Sequence, residues 1–98
     1  MDLIQKALKI KPNSGYIIDS LGWVFFQKGL YDKALTSLEK AFSITPDDPT
    51  ITEHLGDVYF KKKEYKKSLE MYQKALSLKH LDADKIRDKI REVKKLLK

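Results

Sequence analysis

The sequence predicts an all-α protein, a solenoid of stacked helical hairpins closed by one C-terminal capping helix. Three observations predict it. Residues 15–48 align with 49–82 without a gap and share 13 identities over 34 positions, including Leu21/Leu55, Gly22/Gly56, Tyr31/Tyr65 and Ala41/Ala75. Within each unit the apolar residues recur at helical spacing on two successive stripes. Residues 83–98 then carry one apolar stripe on an otherwise charged helix.

Taken in order, residues 1–14 match the end of a unit. Lys6-Ala7 answers Lys40-Ala41, Ile10 answers Ile44 and Pro12 answers Pro46. They read as a half repeat, a second helix over 2–11 without its hairpin partner. This start predicts a piece of a longer solenoid. It also leaves one flank of Leu3, Ile4, Ala7 and Leu8 uncovered, so a two-fold homodimer through the N-terminal edge is one expected outcome and a monomer the other.

The first full unit, 15–48, places Ile17, Leu21, Val24 and Phe25 on one helix stripe. Tyr31, Ala34, Leu35, Leu38, Ala41 and Phe42 lie on the next. Gly29 fits the left-handed position just past a helix end, and Asp48-Pro49 fits an N-cap followed by a first-turn proline. The second unit, 49–82, repeats both stripes, with Lys63-Glu64 in place of the glycine turn. Gly22 and Gly56 sit inside helices, where glycine costs about 1 kcal/mol relative to alanine. Close backbone approach would offset that cost, with the small residues Ala34, Ala41, Ser68 and Ala75 expected opposite. In 83–98 the stripe is Ile86, Ile90, Val93 and Leu97, whose charged remaining faces suit a closing helix.

Composition bounds the function. The 98 residues suffice for one domain. The chain has no cysteine, which excludes disulfides and thiolate metal sites, and its two histidines, His54 and His80, are isolated. No metal, cofactor or catalytic constellation is visible, so the chain reads as a non-enzyme. No apolar run approaches the roughly 20 residues of a membrane span, and the N-terminus lacks a signal peptide's apolar block. It reads as soluble; a cytoplasmic location is compatible and the compartment stays open. The net charge is +6, of which residues 83–98 carry +4, seven Lys/Arg against three acids.

The period of 34 and the spacing of these residues resemble the tetratricopeptide repeat, W-x2-L-G-x2-Y…A-x3-F…A…P. The first unit matches with Ile18, Leu21, Gly22, Phe25, Ala34, Leu38, Ala41 and Pro46. The second matches with Thr52, Leu55, Gly56, Tyr59, Ser68, Tyr72 and Ala75. Ile18 and Thr52 replace the pattern's tryptophan, and His80 its proline. Residues 15–82 are covered fully and 1–14 by half a unit. The resemblance implies a right-handed solenoid acting as a protein–protein interaction scaffold, with a partner's peptide or helix bound on the concave face.

The positions matching that face are Tyr16, Asp19, Ser20, Trp23, Phe26 and Gln27 in the first unit. In the second they are Thr50, Glu53, His54, Asp57, Phe60 and Lys61, and the closing helix adds Asp84, Arg87, Asp88 and Arg91. Family members that clamp a C-terminal carboxylate use lysine, asparagine and arginine there. This chain has Asp19, Trp23, His54, Asp84 and Asp88 at those sites, so no such clamp is expected. Asp19, Glu53 and Asp57 instead predict an acidic, aromatic-edged face that prefers basic and apolar peptides. Trp23, the single tryptophan, reads either as packing between neighbouring inner helices or as a binding hot spot. His54 reads as an ordinary groove residue, since no partner is spaced for it.

A second reading concerns charge. The run "KKKEYKK" over Lys61–Lys67, joined to Lys85, Arg87, Arg91, Lys94, Lys95 and Lys98, could form a basic adaptor for nucleic acid or anionic membrane. The interspersed acids Glu64, Asp84, Asp88 and Glu92 speak against such a patch for either ligand, and few exposed aromatics for base stacking speak further against nucleic acid.

Overall fold

The computed structural model describes residues 14–78 and 82–97. The helix expected over 2–11, and with it the dimer edge, lies outside the described residues. So does His80. Five helices follow one another: α1 Gly15–Gln27, α2 Tyr31–Ile44, α3 Pro49–Lys61, α4 Tyr65–Ser77 and α5 Ala83–Leu96. No strand occurs among the described residues. α1 packs on α2 and α3 on α4 as two hairpins, and α5 packs on α4 at the end of the stack.

The boundaries follow from local chemistry. Ser14 Oγ accepts from the Ile17 N–H at 3.4 Å to start α1, and Asp48 Oδ1 accepts from the Ile51 N–H at 2.9 Å to start α3, with Pro49 opening its first turn. α1 stops in a left-handed turn. Gly29 has φ +78°, its N–H donates to the Phe26 carbonyl, and the Leu30 N–H reaches back to the Phe25 carbonyl. α3 stops in the same way, with the Lys63 N–H on Phe60 and the Glu64 N–H on Tyr59. An aromatic pair brackets each turn, Phe26 with Tyr31 at 5.5 Å and Phe60 with Tyr65 at 5.6 Å.

Lys63 therefore adopts φ +63°, a conformation that disfavours any side chain with a Cβ. Lys63→Gly is expected to stabilise the protein by about 1 kcal/mol. On a domain this small that raises the melting temperature by about 4–8 °C. An unchanged melting curve would mean that the turn relaxes at no cost.

The mid-helix glycines are contact points. A Cβ on Gly22 would stand 2.8 Å from Leu38 Cγ, and one on Gly56 would stand 2.7 Å from the Tyr72 ring. The partners are thus the large residues of the facing helix rather than the small ones expected. Ser68 of the small set does reach its glycine, its hydroxyl donating to the Gly56 carbonyl at 2.9 Å. Ala34 and Ala41 are fully buried for another reason. Ala34 clusters with Leu38, Leu55, Val58 and Tyr59, and Ala41 with Ile18 and Ile51, so their small size lets the second hairpin close on the first.

Tyr72, Ile86, Ile90 and Val93 form the cluster that seats α5. In the 34-residue register Ile86 and Ile90 answer Thr52 and Gly56, and Val93 answers Tyr59. The fourth member of the expected stripe, Leu97, caps α5 and is 40% exposed instead of buried.

Candidate interaction face

α1, α3 and α5 stand side by side, joined by polar and aromatic contacts that cross from one helix to the next. Between α1 and α3, the Trp23 indole stacks on His54 with ring centroids 4.0 Å apart and planes 18° apart. Trp23 also stacks on Phe26 at 4.7 Å and 10°. The packing reading of Trp23 is the one the geometry supports. His54 has the partner that sequence spacing did not reveal. Its Nδ1 lies 2.8 Å from Asp19 Oδ1, and because a carboxylate only accepts, the ring nitrogen donates. Asp19 is buried through this contact.

Between α3 and α5 the contact is ionic. Lys89 donates to Glu53 Oε2 at 2.5 Å and to the two Asp57 oxygens at 2.9 and 3.1 Å. Asp57 Oδ1 also accepts from the Tyr72 hydroxyl at 2.5 Å, and Lys85 approaches Glu53 to 4.0 Å. Glu53 is only 5% exposed. In the repeat register Lys89 occupies the place of Leu21 and Leu55, so α5 sets a lysine where the two full units carry a leucine. The ammonium reaches the carboxylates and also stands over the Tyr72 ring, 5.6 Å from its centroid.

This geometry changes the charge expected of the face. Asp19, Glu53 and Asp57 are engaged inside the chain and do not form an open acidic strip. Arg87 and Arg91 also differ from expectation. They pair along their own helix with Asp84 and Asp88 and border a groove with Gln73 and Leu76 of α4. On α5 it is Lys85 and Lys89 that pair with the carboxylates of α3. Of the remaining expected residues, Tyr16, Ser20, Gln27, Thr50 and Lys61 are exposed, and Ser20 Oγ donates back to the Tyr16 carbonyl. A pocket of about 250 Å³ opens between Asp57, Phe60, Tyr72, Lys89 and Glu92. Among the described residues no cluster of His, Asp or Glu could hold a metal ion.

Burial, then the charge and hydrogen bond of Asp57, push the Tyr72 hydroxyl well above the ordinary tyrosine range. Burial and Glu39 raise Tyr59 in the same direction. Burial works against the Lys89 charge, but its bonds to Glu53 and Asp57 outweigh that effect and raise it as well. In each case the folded state holds its proton to higher pH than the unfolded chain. The associated stability is therefore complete below the unfolded values, about pH 10, and is lost as pH rises through the raised ones. Urea midpoints are expected to hold to about pH 10 and to fall from there to about pH 12. A midpoint unchanged over that range would show that these groups titrate as freely in the folded as in the unfolded chain.

Two family models match the chain. The TPR repeat model covers residues 22–63 and the tetratricopeptide repeat model residues 53–79. The chain belongs to the tetratricopeptide repeat family. No curated protein matches it significantly. Among solved structures, this tetratricopeptide repeat protein resembles the Sgt2 TPR domain from Aspergillus fumigatus at 23% identity and TM-score 0.89, over 98% of this chain and 64% of that one. The first TPR of Spaghetti (RPAP3), bound to an HSP90 peptide, is 14% identical with TM-score 0.90, over 98% of this chain and 75% of that one. YrrB, described as having an unusual peptide-binding site, is 20% identical with TM-score 0.87, over 96% of this chain and 48% of that one. The tetratricopeptide chain thus spans less than two thirds of the Sgt2 domain and about half of YrrB.

Proposed function

We propose that the chain is a non-catalytic interaction module that binds an extended peptide or helix of a partner protein on the face formed by α1, α3 and α5. The observation that carries this reading is the pocket of about 250 Å³ at Phe60 and Tyr72, walled by the Lys89 network and large enough for one apolar side chain. Exposed Tyr16, Ser20, Gln27, Thr50 and Lys61 extend the surface along α1 and α3, on both sides of the Trp23–His54 seam. Two of the structural neighbours are described with a bound peptide or a peptide-binding site, which supports a protein partner here.

The bound segment presents an apolar residue to the pocket and lies along the platform as an internal stretch rather than as an acidic C-terminal tail. Asp19, Trp23 and His54 occupy positions where carboxylate-clamping relatives use cations or amides, and Asp19 and His54 satisfy each other. A peptide array followed by NMR titration tests this. Binding peptides are expected to shift resonances of Tyr16, Trp23, Phe60 and Lys61 while leaving Lys40 on α2 unmoved. Selection of acidic tails, or shifts confined to α2 and α4, would overturn the reading.

A further inference from the structure

The exposed charges of α5 are largely paired along the helix, Asp84 with Arg87, Asp88 with Arg91 and Glu92 with Lys95. Lys85 and Lys89 are committed to Glu53. The broad basic patch expected of this helix is therefore neutralised over most of its length. One place escapes. The chain end of α5 runs beside the hairpin turn of the second unit, where Leu97 shares a shallow concavity of about 380 Å³ with Lys63, Glu64, Tyr65, Lys66 and Lys67. Leu96 and Leu97 are 48% and 40% exposed. Lys67 pairs with Glu64 at 3.7 Å, whereas Lys63 and Lys66 are exposed and make no ion pair among the described residues. Lys94 in the last turn of α5 likewise has no carboxylate partner among them.

We propose that this corner, the turn at Lys63 to Lys67 with Leu96 and Leu97, is a docking surface for an anionic lipid bilayer. The pairing of bare leucines with unpaired lysines on a shallow surface carries the assignment. Leucine has an apolar phase to enter at a bilayer interface, and lysine has a negative surface to approach. A helical protein partner would need a groove to seat it, and the concavity here is shallow. Either element alone gives marginal binding, because stable attachment to a membrane takes two signals. This surface is separate from the α1–α3–α5 face and does not depend on its function.

The test is co-sedimentation of the whole chain with vesicles of phosphatidylcholine alone or with added phosphatidylserine. Binding is expected only with phosphatidylserine. Each unpaired lysine strengthens it about fivefold, so Lys63→Glu with Lys66→Glu weakens it at least tenfold. Leu96→Ser with Leu97→Ser is expected to weaken it to a similar degree. Arg87→Gln with Arg91→Gln leaves it within about twofold, since those bases already face carboxylates. Circular dichroism of each variant separates lost binding from lost folding. Absence of binding by the folded parent chain would overturn the proposal. So would binding that needs the lysines but ignores the leucines, which would reduce the contact to adsorption by charge alone.

Discussion

Replacing Lys89 with leucine, the residue that the two full units carry at that position, is expected to destabilise the protein by about 2–4 kcal/mol. Consensus reasoning gives the opposite sign, so the experiment discriminates. The lysine holds Glu53 and Asp57 through three contacts of 2.5–3.1 Å. Removing it leaves two largely buried carboxylates facing each other, and taking one partner from a buried ion network costs more than the network contributes in place. Two features keep the estimate below the top of the usual range. Lys89 retains 23% side-chain exposure, and Lys85 stands ready at 4.0 Å to serve Glu53. Adding Glu53→Gln and Asp57→Asn to Lys89→Leu is expected to recover most of the loss. The neutral amides no longer repel, and the amide oxygen at position 57 still accepts from Tyr72. Urea denaturation of the single and triple variants measures both. A neutral or stabilising single change would show that solvent already screens the network.

The second large effect falls on Gly56. Gly56→Ala gains about 1 kcal/mol in helix propensity, yet its methyl would enter the Tyr72 ring at 2.7 Å. The ring cannot swing aside cheaply, since Tyr72 is 3% exposed and its hydroxyl is fixed on Asp57. Overpacking of this kind costs about 1–3 kcal/mol, so alanine is expected to be a net loss of about 1 kcal/mol. Gly56→Leu should cost more than about 3 kcal/mol, because the longer side chain must part α3 from α4 and break the Ser68 bond to the Gly56 carbonyl. Thermal melts of the two variants should rank alanine above leucine and both below the parent. A leucine variant that melts at the parent temperature would contradict the packing of the hairpin.

The fold was legible because its determinants are local or periodic. Gly29, Asp48-Pro49 and the mid-helix glycines announce turns, caps and close contacts through backbone chemistry that needs no knowledge of neighbours. The candidate face was legible only in outline. The register grouped Asp19, Trp23 and His54, but periodicity cannot say that residues 35 positions apart meet, so the Asp19–His54 bond was hidden. Lys89 was missed although the same alignment that matched Leu21 to Leu55 placed it next in line. A charged residue at an apolar repeat position is the signal that could have exposed it. Arg87 and Arg91 were misplaced because an i,i+3 acid on the same helix competes for an arginine more cheaply than a distant one does. Leu97 was assigned to the core from its spacing alone, although the helix ends before it.

Trp23 lies across the seam between the two described hairpins, stacked on Phe26 of its own helix and on His54 of the next. In stacked repeats each unit is held chiefly by its nearest neighbour, so separation at a seam is a distinct event from melting of a helix. The protein therefore carries a built-in optical reporter at one defined joint. Indole emission follows parting of the two hairpins, whereas far-ultraviolet ellipticity sums over every helix. A lag between the two signals would place the weakest joint of the stack without any added label.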